Sequence, residues 1–207
     1  MLLVAALLLS GLVLVAVESV GYVRGGYDSA FWRLPLDAKL DQVAEHRWEW
    51  WWVSVWGLVG LFSLSSGMFG LSYLLAEAGE PILASVALGG YAVAAVAWVA
   101  GLIIQAASVS EAAKQRADTG TTPSWLHPFW NGAFLAELSW ISGANVAYAL
   151  IGVAILQTGL VSDWAGWITL VGGTVIAIGV LTTREGFPQL GYVPPAVIGI
   201  ALLIENL

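Results

Sequence analysis

The sequence predicts an all-α protein: a polytopic transmembrane helical bundle of six spans, with an amphipathic interfacial helix between spans one and two. Three observations predict it. Of 207 residues, 59% are hydrophobic and only 10% are charged, against about 25% charged in a soluble domain. Several apolar runs reach about twenty residues, the length at which a helix crosses a ~30 Å hydrocarbon core. Finally, all seven Lys and Arg residues fall in alternate connections between those runs, the asymmetry that orients membrane helices.

Span one covers residues 1–23, MLLVAALLLSGLVLVAVESVGYV. No basic residue precedes its apolar stretch and no A-x-A-like site closes it, so it reads as an uncleaved span and not as a signal peptide. Glu18 lies about one turn from its end and is expected to snorkel to the interface. Residues 24–47 form the largest polar connection. Arg24, Gly25 and Gly26 break the span, and Asp28 or Ser29 is placed to cap a short helix. Pro35 suits a first helical position. Beyond it Leu36, Leu40 and Val43 fall on one side, with Asp37, Asp41 and Glu45 on the other, the pattern of an amphipathic helix lying at the interface.

Span two, residues 48–76, opens with Trp48, Trp50, Trp51, Trp52 and Trp56. Such a cluster forms an aromatic belt at headgroup level or a wall for a flat or lipophilic ligand. Ser63/Gly67 and Ser66/Gly70 are small-residue pairs that admit a close neighbour helix. Glu77–Pro81 makes a tight turn into span three, residues 82–109, where Gly90/Ala94 and Ala97/Gly101 repeat that device and Gln105 is the strongly polar side chain. Residues 110–126 form a second polar connection, followed by span four at 128–158. Asp163 turns the chain into span five at 164–181, and 182–189 is a short loop. The last apolar run, 190–205, contains Pro194 and Pro195. Only about 13 helical residues follow, roughly 20 Å, which predicts a short span; a kinked span or a re-entrant segment are the alternatives.

The connections holding Arg24, Arg33, Lys39, Arg47, Lys114, Arg116 and Arg184 share one side of the membrane. The other side holds Glu77, Glu80, Asp163 and Glu205 without a cation. The positive-inside rule therefore puts loops 24–47, 110–126 and 182–189 in the cytoplasm and both termini outside.

Glu137 is the leading candidate site residue. It lies about nine residues past Pro128, roughly 13 Å into span four at 1.5 Å per residue. A charge there costs on the order of 3 kcal/mol or more, so the group faces protein or water, pairs, or stays protonated. On a helical projection Asn131, Ser142 and Asn145 form one polar stripe and Trp130, Glu137 and Tyr148 another. These residues, with Gln105 of span three, form the candidate ligand-binding set, and Glu137 is expected to be neutral and buried between helices. It serves either as a proton-coupling or ligand-contacting carboxyl or as a hydrogen-bonded packing element. His46 and His127 sit on one face of the membrane at interface depth, outside any recognisable ligand motif, and no metal site is assigned.

Other classes are excluded on composition. A net charge of −7 offers no basic footprint for nucleic acid. The absence of Cys removes disulfides, thiolate nucleophiles and thiolate metal sites. There is no phosphate-binding glycine loop, nucleophile elbow or H-E-x-x-H motif, so no catalytic residue is assigned, and the cofactor is left unknown.

The layout, with AEH before span two and GLVSDWAGW leading into a penultimate span followed by a short last one, resembles uncharacterised prokaryotic multi-span membrane families grouped as domains of unknown function. Those families often carry a Gly–apolar–Pro–x–Trp–x–Gly–Trp-like turn; here Ser162 or Asp163 stands in place of the Pro. The resemblance implies six or seven helices and transfers no catalytic residues. The function expected is a non-enzymatic membrane protein, in contact with the lipid bilayer, that binds an apolar small molecule or lipid or serves as a subunit with other membrane subunits. The alternatives are a small proton-coupled transporter using Glu137 and a haem or redox subunit.

Overall fold

A computed structural model describes residues 1–184 and 188–206 of the chain. Its helices are α1 (Leu2–Gly25), α2 (Ser29–Arg33), α3 (Leu36–Glu45), α4 (Arg47–Glu77), α5 (Pro81–Ile104), α6 (Ser110–Thr119), α7 (Leu126–Thr158), α8 (Asp163–Thr183) and α9 (Val193–Ile204). Five helical stretches are long and apolar enough to cross a membrane, and the run Leu190–Ile204 is a shorter apolar piece. Their outward faces are apolar as well: Phe62 is 76% exposed and Val93 74%. Helices apolar all round belong in a large core or in lipid, which fits a multi-pass membrane protein.

Consecutive long helices run antiparallel, and small residues set their distances. Along the α1–α4 seam, Cβ atoms on Gly67 and Gly70 would meet Leu8 at 2.8 Å and Val4 at 2.7 Å, and one on Gly21 would meet Val53 at 2.8 Å. A Cβ on Gly101 would meet Ala136 at 3.0 Å, and one on Gly143 would meet Ala94 at 3.0 Å, drawing α5 and α7 together. The expected Gly90/Ala94 pair is thus half right as a seam: Ala94 meets α7, but Gly90 faces open space. The closest approach is between α7 and α8, where a Cβ on Gly152 would lie 2.5 Å from the Leu170 amide nitrogen.

The chain's polar connections fold further than expected. Asp28 caps α2 through its carboxylate, which accepts from the amides of Ala30 at 2.8 Å and Phe31 at 3.1 Å. The helix of span three continues past 109. A π-helical segment, Gln105–Val109, carries α5 straight into α6, giving one helical stretch from Pro81 to Thr119. The connection expected at 110–126 is therefore helical through Thr119 and ends at Gly120, whose φ of 72° suits a residue without Cβ. Loop 182–189 falls partly outside the described residues, at 185–187.

At this end of the bundle a second small core forms from Tyr27, Phe31, Leu40, Val43, Trp50 and Ala112. The apolar side of α3 is thus covered by protein, chiefly α6, and not left free for lipid. Arg116 of α6 ties the layers: its Nε and Nη2 donate to the two Asp41 carboxylate oxygens at 2.6 and 2.9 Å, and its Nη1 lies 3.5 Å from Asp37. Lys39 is buried, its Nζ 5.0 Å from the centroid of the Trp130 ring. The indole of Trp50 donates to the Gln105 carbonyl at 3.1 Å, within the π segment.

The last apolar run is not a full-length helix. A 3₁₀ turn, Pro188–Tyr192, precedes the 12-residue α9, which is about 18 Å long. Tyr192 lies against Gly11 and Gly60, near the middle of α1 and α4, so α9 starts inside the bundle. Its far end returns to the α7–α8 turn, where Glu205 accepts a hydrogen bond from the Ser162 amide at 2.6 Å. The run thus holds a short helix that begins inside the bundle.

Candidate functional site

Helices α4 and α5 are pinned together at both ends and part between them. Near their hairpin, Ser72 Oγ donates to the Ala84 carbonyl at 3.0 Å; at the other end the Trp50 indole holds Gln105. Between the pins α5 presents Ala92 and Ala95 across from Leu58 and Phe62, and these short side chains leave a groove of about 670 Å³. From Leu58 to Phe69 it follows eleven residue steps of α4, about 17 Å. Phe62 and Phe69 form exposed lips. The floor holds the one polar pair: Ser65 Oγ and Tyr91 Oη lie 3.3 Å apart, with Tyr91 only 1% exposed. An apolar trough with a hydroxyl pair at its base suits a lipophilic molecule carrying at most one hydrogen-bonding group.

Behind this floor the interior is unusually polar. Tyr91 packs on Trp140 and Tyr148, with ring centroids 5.6 and 6.0 Å away, and Trp140 lies 6.3 Å from Tyr192. The Trp140 Nε1, the Asn145 Oδ1 and the Thr169 hydroxyl are buried without a hydrogen-bond partner among the described residues, and the Tyr148 hydroxyl has only that of Tyr91 within reach. Buried polar atoms are ordinarily paired, so three on α7 and α8 mark this interior as strained or as a place for small polar guests.

The sequence-predicted set is scattered. Glu137 shares a stripe with buried Ala133, Trp140, Ile141 and Ala144, so it faces the bundle, but it is half-buried and the described residues offer it no hydrogen bond or ion pair. Its expected partners lie elsewhere. Trp130 sits under Lys39 in the cap, 6.4 Å from Trp32, and Gln105 lies in the π segment. Tyr148 belongs to the Tyr91 cluster. Asn131 is exposed, whereas Asn145 is fully buried with its Nδ2 donating to its own helix at Ile141, 2.8 Å away. His46 lies 4.0 Å from Glu49, and His127 is exposed. No cluster of three His, Cys, Asp or Glu exists among the described residues.

The expectation for Glu18 is overturned. It does not snorkel: it is 4% exposed, and its Oε1 occupies space left beside Gly57, 3.5 Å from where a Cβ would stand. A one-turn distance from the end of the apolar run suggested easy escape to water. However, α1 continues helical to Gly25, and Glu18 faces α4 and not the rim. Tyr22, four residues on, supplies a hydroxyl in hydrogen-bond range. The sequence signal was present as Glu18 and Tyr22 at i,i+4 on one face, opposite a glycine on the next span. No protein-family model, curated protein or solved structure matches the chain.

Proposed function

We propose that this chain is an integral membrane protein of six spans, the last one short, that holds an apolar chain-like molecule of the bilayer in the groove between α4 and α5. The capped end, which carries the basic residues, faces the cytoplasm. The groove is the observation that carries this reading. Its length of about 17 Å suits an extended hydrocarbon chain, its walls are aliphatic and aromatic, and its single polar spot, Ser65 with Tyr91, accommodates one hydroxyl or carbonyl group. The test is extraction and mass spectrometry of lipophilic molecules retained by the purified protein, compared with Ala92→Trp and Ala95→Trp, which fill the trough. Variants that remain monodisperse and lose the retained molecule support the reading. Variants that retain it in the same amount sink it.

A second reading, proton-coupled transport through Glu137, draws on a specific observation: this carboxyl lies on the inward stripe of α7 without a partner among the described residues. Glu137→Gln that folds and retains the groove ligand, yet loses pH-linked transport, would favour it.

A further inference from the structure

The interior break before α9 brings together groups that the groove does not use. Non-helical backbone at membrane depth is tolerated only where protein buries it or water reaches it, and interrupted helices commonly mark binding sites. Here the break presents Tyr192, 3% exposed. Its hydroxyl lies 3.9 Å from where a Cβ on Gly60 would stand, one turn along α4 from Gly57, where Glu18 Oε1 is lodged. Glu18 and Tyr192 therefore lie against the same glycine-lined strip of α4, close enough to interact electrostatically. Trp98 of α5 reaches the Tyr192 hydroxyl. Tyr91, joined to Ser65, also lies within electrostatic reach of Tyr192.

Among the described residues, no cation pairs with Glu18. Its own helix offers Tyr22, α4 offers Gly57, α5 offers Leu102 and Trp98, and the break offers Tyr192. None of the ion pairs among the described residues reaches it. A carboxyl so placed is neutralised at least cost by a proton, and hydroxyls on one side of it lead toward the groove.

We propose that Glu18 is a proton-exchange site inside the bundle, connected through Tyr192 to Tyr91 and the floor of the groove. The Glu18 proton passes through bridging water to the Tyr192 oxygen while Tyr192 releases its own proton to the next water or hydroxyl. Glu18 is then briefly a carboxylate, and the reverse transfer returns a proton to it, so that exchange leaves every group as it began. The Trp140 Nε1, fully buried beside this track without a partner among the described residues, offers such water a donor.

The test is infrared difference spectroscopy of the protein in lipid vesicles, following the protonated-carboxyl band as H2O is exchanged for D2O. Wild type should show a buried-carboxyl component that shifts in D2O, vanishes in Glu18→Gln and persists in Glu137→Gln. Tyr192→Phe keeps the ring against Gly11 and should retain that component while slowing its isotope exchange about tenfold or more. If Glu18→Gln fails to fold, Glu18→Asp replaces it and should move the component in frequency. A band untouched by substitution at Glu18, or an exchange rate unchanged in Tyr192→Phe, overturns the proposal. No groove ligand enters this measurement, so its result stands whether or not the groove holds one.

Discussion

Replacing Gly152 by Ala is the sharpest probe of how this bundle is held. The new methyl would stand 2.5 Å from the Leu170 nitrogen, 2.7 Å from the Gly166 carbonyl oxygen and 2.8 Å from the Leu170 Cα. All three are backbone atoms, so no side chain can rotate aside. Contacts between carbon atoms are best at about 3.5–4.0 Å, so α8 must retreat by roughly 1 Å and loosen the seam above and below. Overpacking of this kind costs about 1–3 kcal/mol, and the rigidity of the obstacle puts Gly152→Ala at the upper end. Gly172 on α8 is the matched control, because nothing lies within 4 Å of its added Cβ. There the helix propensity gain of Ala over Gly, up to about 1 kcal/mol in water, is unopposed. Reversible unfolding in mixed detergent micelles, followed by the fluorescence of the twelve Trp, measures both. A Gly152→Ala protein as stable as wild type, or a Gly172→Ala protein weakened as much, would refute the claim that backbone contact sets the α7–α8 distance.

Three further outcomes are expected. Burial holds the Lys39 ammonium below its ordinary 10.5, so the unfolded chain binds more protons there. Stability should rise as pH climbs from the folded-state value toward 10.5, and Lys39→Met should flatten that rise in pH-dependent unfolding. The Arg116 guanidinium hydrogen-bonded to Asp41 holds that carboxyl below its ordinary 3.8. The strap between α3 and α6 is therefore intact above that value and lost as pH falls through the folded-state value. Limited proteolysis near Gly120 should accelerate in acid in the wild type and already at neutral pH in Arg116→Ala, and equal neutral rates would remove the strap from the account. Since the chain has no native Cys, Asp163→Cys should label only from outside and Thr121→Cys only from the cytoplasm; the reverse pattern would invert the proposed orientation.

The helices themselves were legible because apolar length is a local property. Each long run predicted from 48–76 to 164–181 has a helix over it, and Asp28 caps as its side chain allows. What the sequence hid depends on neighbours distant along the chain. The polar segment after Val109 reads as a loop until α3 is seen to cover it. Glu18 reads as a rim residue until the gap at Gly57 is known. Helical projection correctly turned Glu137 inward, but it could not show that Trp130, Gln105 and Tyr148 are taken by other contacts, two of them at the capped end. Ser65 and Tyr91 carry no motif. They become a groove floor only because Ala92 and Ala95 are too short to fill the space between α5 and α4.

The placement of α9 has a consequence for the order in which the protein is made. Leu8, Leu9 and Gly11 of α1 are covered by Gly199 and Tyr192, which leave the ribosome after helices α1 to α8. The first helix therefore enters the bilayer with one face unfinished, and Glu18 on it waits for a hydroxyl not yet synthesised. Domains assemble from the N-terminus as they emerge, and contacts between distant segments form late because the closing loop is long. α1 can pair with α4 early, whereas its second neighbour arrives as a closing wedge inserted from within. A nascent chain arrested before Leu190 would hold four completed seams and one open slot, with the buried carboxyl of α1 facing whatever the insertion machinery or the lipid supplies.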